Sequence, residues 1–197
     1  MSKATVTILM LLLASSVLAA QDTRPTCNKC SATYIPDEEI QAYVKRAIER
    51  KLIDQQIRAV DSGKTNVDVG VVYRGKLDKP APTAVAEHDK VSEVYHVIDG
   101  SATLVTGPDL VDTKRRPADD QAVKMLNGPG SNSASIRNGV THQLKPGDVV
   151  IIPAGTGHWF TKIDDHITYL MVRIDPDKVT PHKTEADSKA DLAGTAK

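Results

Sequence analysis

Two stretches of the chain concentrate side chains able to hold a cation or move a proton. Residues 86–100 carry His88, Glu93, Tyr95 and His96, and residues 147–162 carry Gly147, Pro153, Gly155, His158 and Phe160. In the first, strand alternation puts Glu93, Tyr95 and Val97 on one face and Val94, His96 and Ile98 on the other. His88 lies across a polar turn and can return to the Glu93 face. In the second, a β-branched run is stopped by Pro153 and Gly155, and a new strand starts at His158, whose alternation predicts Phe160 and Lys162 facing the same space. Packed together, the two stretches offer two imidazoles and one carboxylate. That donor set suits one divalent Fe, Mn, Ni or Zn ion with coordination positions left open. Tyr95 would enter the same space as a catalytic general acid or base, or as a hydrogen-bonded wall. Phe160 and Lys162 are candidate substrate contacts, Lys162 for an anionic group. Arg115 and Arg116 are weaker candidates for that task, because a solvated loop charge needs no functional explanation.

These residues resemble the motifs of the cupin superfamily over residues 79–163. Gly147, Pro153, Gly155 and His158 fall at the family's second motif, with Lys162 where the family has Asn. His88, Glu93 and Gly100 fall at the second His, the Glu and the closing Gly of the first motif, while Pro80 replaces its leading Gly and Ala86 its first His. The resemblance implies a mainly β fold, a cupin-type double-stranded β-helix or jelly-roll barrel, with His88, Glu93 and His158 as metal ligands. Three readings of the missing ligand stay open. The site is a three-ligand centre like the 2-His-1-carboxylate triad; or His96 or His142 completes it, although alternation turns His96 away; or the three groups form a polar pocket without metal. His96 reads better as an outer-face residue under a helix or at a contact between copies, and His166 and His182 as solvated. The superfamily spans dioxygenases, isomerases, lyases, decarboxylases and non-catalytic binders, so the resemblance leaves the reaction class open and implies only a small-molecule ligand.

The elements that must position these groups are legible in outline. Residues 36–59 carry Ile40, Tyr43, Val44, Ala47, Ile48 and Ile53 at helical spacing, with Asp37, Glu38 and Glu39 at the start, which predicts an amphipathic helix. Short β-branched runs at 67–73, 91–98, 102–105, 149–152, 158–163 and 167–174 predict strands. Residues 107–138 read as a long polar loop. Residues 1–20 have the charge, apolar core and small-residue end of a secretory signal peptide, cleaved after Ala19 or Ala20, which predicts a secreted or periplasmic protein without stable membrane insertion. Cys27 and Cys30, the only cysteines, read as a local disulfide in that compartment, ahead of redox or metal roles. The resulting plan is a signal peptide (1–20), an extension with the cysteines and the helix (21–65), a barrel (66–178) and a disordered charged tail (179–197). With 25 basic and 25 acidic residues there is no basic excess to hold a nucleic acid. Pairing of two copies through barrel faces is left open.

Overall fold

The computed structural model describes residues 25–27 and 30–194, so the expected signal peptide over 1–20 lies outside the described residues. Cys27 and Cys30 are joined as a disulfide ahead of the first helix. No helix among the described residues is long and apolar enough to cross a membrane.

Helix α1 spans Asp37–Arg50, with its three acids in the first turn, and buries Tyr43 and Ala47. It ends earlier than its periodicity predicts. Lys51 turns left-handed (φ 55°) and its backbone N–H reaches back to Ala47 and Ile48, closing the helix. The chain then enters β1 (Asp54–Asp61), so the boundary expected at residue 66 falls inside the sheet. Tertiary pairing overrides helical spacing here. Residues 55 to 59 of β1 are all buried, because the strand pairs with its neighbour and both of its faces are covered.

The remaining strands are β2 (Asn66–Leu77), β3 (Val85–His88), β4 (Ser92–Gly100), β5 (Ala102–Gly107), β6 (Leu110–Val111), β7 (Lys114–Arg115), β8 (Gly130–Ser133), β9 (Ser135–Ile136), β10 (Val140–Leu144), β11 (Val149–Ile152) and β12 (Gly157–Asp175). All pairings are antiparallel, and β12 belongs to two sheets. Its second half lies between β2 and β4 in the order β1-β2-β12-β4-β11; its first half lies between β5 and β3 in the order β10-β5-β12-β3-β8-β7. The two sheets face each other as a jelly roll. They share a hydrogen-bonded strand on one side only, so they form an open sandwich where the sequence suggests a closed barrel. Tyr95, Leu104, Ile152, Phe160, Tyr169 and Met171 are among the side chains that fill the space between them. The loop expected at 107–138 holds β6 to β9 and a short helical turn at Val123–Asn127.

The tail is structured where its composition predicts disorder. Helix α2 (Glu185–Leu192) starts with a capping box between Thr184 and Asp187. It docks by polar contacts: Tyr43 donates to Asp191 at 3.0 Å, Arg46 pairs with the same carboxylate, and Ser188 donates to the Ile57 carbonyl. Tyr43, Ile57 and Val71 form a second apolar cluster between α1 and the outer face of the first sheet.

Candidate metal centre

The sheets bring together the three residues named from the motifs. His88 ends β3 and His158 opens β12 in one sheet, while Glu93 enters from β4 in the other. One ligand atom from each lies within 4.8 Å of the others, and all three side chains are buried. Backbone contacts fix the approach. His158 pairs with Ala86 across β12 and β3, and the Gly155 N–H donates to the His88 carbonyl at 2.8 Å, so the second-motif turn is tied to the first-motif strand. Gly155 adopts φ 80° at that turn, a conformation that favours glycine.

The hydrogen bonds assign the protons. His158 Nδ1 lies 3.2 Å from the Thr156 carbonyl, which can only accept, so Nδ1 carries the proton and the Nε2 lone pair faces Glu93 Oε2 at 3.4 Å. Burial lowers the His158 pKa to about 4, against the pull of Glu93, which keeps the ring neutral at pH 7. A lone pair therefore confronts a carboxylate in buried space, an arrangement that a cation between them relieves. Two donor atoms bound to one ion at ~2.1 Å and a tetrahedral angle stand ~3.4 Å apart, which matches the spacing of His158 Nε2 from Glu93 Oε2. His158 and Glu93 fit a divalent metal, and His88 would complete the set once its Nε2 is free of a proton.

His88 is held differently. Arg116 Nη2 lies 2.9 Å from His88 Nδ1 and also donates to the Glu87 carbonyl. A guanidinium only donates, so Nδ1 accepts and Nε2–H points at Glu93 Oε1, 3.4 Å away. Arg116 thus serves a site residue rather than a ligand, and Arg115 pairs with Asp89 at 2.6 Å on the surface.

Glu93 is the hub. Its Oε2 accepts from the Tyr95 hydroxyl at 2.7 Å and its Oε1 from Arg173 Nε at 3.2 Å. Burial alone would raise its pKa, but the contacts from His88 and Arg173 outweigh it and hold the carboxyl well below the usual range. Burial and the Glu93 charge push the Tyr95 phenol well above its ordinary value. Its hydroxyl donates to Glu93 and so orients that carboxylate.

Phe160 faces the interior and stacks with Tyr95, ring centroids 6.5 Å apart. Lys162 does not join it. The register of β12 against β5 shifts between Phe160 and Lys162, so the alternation slips and Lys162 points to solvent, paired with Asp164 at 2.8 Å. His96 lies exposed on the outer face of β4, not under α1, and His142 bonds Thr106 at 3.0 Å outside the cluster. Neither supplies a fourth ligand. His166 sits between Asp99 and Asp165, and His182 bonds Asn66 at 3.1 Å, so both are partnered where the sequence suggests solvation.

Two inward-facing arginines near the group escape motif reasoning. Arg173, 1% exposed, links Glu93 to Asp54, and Arg74 lies over the Phe160 ring with its guanidinium carbon 5.0 Å from the centroid. The signal was in the alternation: Arg173 continues the inward row of Ile167, Tyr169 and Met171, and Arg74 follows Val72, so each is a charge in an apolar phase.

No family model matches the chain, and no curated protein matches it. Among solved structures it is similar to the DMSP lyase DddQ from Ruegeria pomeroyi DSS-3, at 18% identity over 59% of this chain and 42% of that one, with a TM-score of 0.35. It is similar to BH2720 from Bacillus halodurans at 14% identity, over 84% of this chain and 96% of that one, TM-score 0.42. A cupin protein (BF4112) from Bacteroides fragilis is similar at 13% identity, over 59% and 72% of the two chains, TM-score 0.33. The chain spans less than half the length of the DMSP lyase. Its own strand order, its motif residues Gly147, Pro153, Gly155 and His158, and the joined His88, Glu93 and His158 group give it the fold of a cupin.

Proposed function

We propose that the chain is an exported protein that holds one divalent metal, Fe, Mn, Ni or Zn, through His88, Glu93 and His158, and acts on or binds a small organic molecule there. One observation carries the reading: the neutral His158 Nε2 lone pair is aimed at the ionised Glu93 carboxylate at 3.4 Å in a buried space. Export rests on the leader-like residues 1–20 and on the Cys27–Cys30 disulfide. A bound metal supplies Lewis-acid polarisation of a substrate oxygen. Thr156 fixes the tautomer of His158, Tyr95 orients Glu93, and Arg173 keeps Glu93 ionised. Ala86, half-buried where the family has its first His, leaves that side of the group free of a protein ligand.

A second reading, a small-molecule binding pocket without metal, is favoured by the Arg116 contact. With His88 Nδ1 accepting from Arg116, its Nε2–H serves Glu93 with no ion present. Metal content of the purified protein beside His158→Ala separates the two. Stoichiometric metal lost in the variant supports a metal centre; metal absent from both proteins sinks it and leaves the binding pocket.

A further inference from the structure

Lys162 was the cation expected to hold an anionic ligand, and the bulge in β12 carries it outside. Arg74 stands on the inward phase of β2 in its place. The side chain is half-buried, its guanidinium lies on the face of Phe160, and Nε donates to the Tyr169 hydroxyl at 3.4 Å, a long bond. Among the described residues no carboxylate lies within ion-pair distance of it. That sets it apart from Arg173, which is gripped by Glu93 and Asp54. Asp54 acts on Arg74 electrostatically without a hydrogen bond, so a guanidinium bonded only to one phenol keeps most of its donors for a ligand.

Arg74 also lines a cavity of about 340 Å³ between the end of α1 and the second half of β2. Lys51 and Lys76 are on its wall, Leu52, Leu77 and Ile163 supply apolar surface, and no acidic residue lines it. Lys76 is paired with Asp78 at the surface and Lys51 is an exposed side chain at the helix end, whereas Arg74 lines the cavity and also lies on the Phe160 ring between the sheets. Arg74 also acts electrostatically on Tyr95 and His158, which places its charge in the same interior as the candidate metal centre.

We infer that Arg74 and this cavity form a binding site for a small organic carboxylate, its anion on the guanidinium and its apolar body against Leu52, Leu77 and Ile163. The inference names the ligand class for the small-molecule reading above and rests on it only for the link to the metal; the anion site itself needs no metal.

The test is calorimetric titration of the full chain with 4-methylpentanoate and, separately, its neutral amide. The wild type is expected to bind the acid and to bind the amide about ten- to hundredfold more weakly, the range of a charge-assisted hydrogen bond at a desolvated site. Arg74→Met should lose the acid by a similar factor, Lys162→Gln should bind like wild type, and Arg74→Lys, which keeps the charge if the Met variant fails to fold, should fall between. His158→Ala should still bind the acid, so failure of the metal reading leaves this one standing. Equal affinity for acid and amide, no binding of the acid by the wild type, or undiminished binding by a folded Arg74→Met protein overturns it.

Discussion

Replacing Arg173 by Met removes one charge from the interior while roughly keeping the volume. It strands Glu93, 2% exposed, with an ionised carboxylate whose remaining neighbours are a phenol and two imidazoles. Removing one partner of a buried ion pair costs ~3–5 kcal/mol, because the other charge is left without water or counter-charge. Asp54, the second carboxylate on Arg173, has 21% of its side chain exposed and loses the same partner, which adds to the cost. Urea unfolding read through the fluorescence of Trp159, the single tryptophan, should show it. At a slope of ~2 kcal/mol per M the midpoint falls by ~1.5–2.5 M. Adding Glu93→Gln to the same chain removes the stranded charge while keeping an acceptor for Tyr95, and should restore at least ~2 kcal/mol. A loss below ~1 kcal/mol, or a double variant no more stable than Arg173→Met alone, would refute the reasoning that Arg173 exists to balance Glu93.

Two further outcomes follow from the same interior. Burial, helped by the charge of Asp175, raises the Asp68 pKa to about 6, above its value near 3.8 in an open chain. The folded state therefore favours the protonated acid, and this contribution is fully present below pH ~4, is lost as the pH rises to ~6 and stays lost above; it amounts to ~2 kcal/mol after discounting for residual hydration. Asp68→Asn should flatten that window and be more stable than wild type at pH 7, and thermal melts at pH 4 and 7 showing an unchanged slope would contradict it. Gly100 sits at φ 76° where an added Cβ would fall 2.1 Å from the His166 carbonyl oxygen, whereas Gly155 at φ 80° has open space. Gly100→Ala should cost ~2–4 kcal/mol and Gly155→Ala ~1, compared by the same urea unfolding; equal costs would mean that the backbone relaxes freely at Gly100.

What the sequence revealed and what it hid divide along a physical line. His88, Glu93 and His158 were legible because each sits beside a turn with its own marker: a polar reversal after His88, and the Pro153 and Gly155 stop before His158. Strand alternation alone then placed Glu93 and Tyr95 on one face, as the structure has them. Alternation failed where the strand departs from its own period. The register slip after Phe160 reverses Lys162, and nothing in a run of Thr161, Lys162 and Ile163 announces a bulge. Helical spacing likewise ran on past Arg50 because residues 54–59 satisfy either period, and only pairing with β2 decides. The tail misled for another reason. Low apolar content predicts disorder when docking must come from hydrophobic burial, yet α2 is held by Asp191, Ser188 and Lys183 on α1 and β1.

The site itself has two halves with opposite electrical demands. On one side of Glu93, Arg173 and Asp54 form a closed chain of buried charge that needs nothing from outside. On the other, His158 presents a lone pair to the same carboxylate and His88 presents a proton that Arg116 holds in place. A protonated His158 would complete the network, donating to Glu93 from Nε2 and to the Thr156 carbonyl from Nδ1. Burial that lowers the His158 pKa to about 4 works against that completion. The arrangement keeps one coordinating atom free beside an anion, and Ala86 leaves the neighbouring position without a competing ligand. The His158 half suits the proposed metal and the His88 half suits the metal-free pocket, so the metal content of the protein decides which demand the site serves.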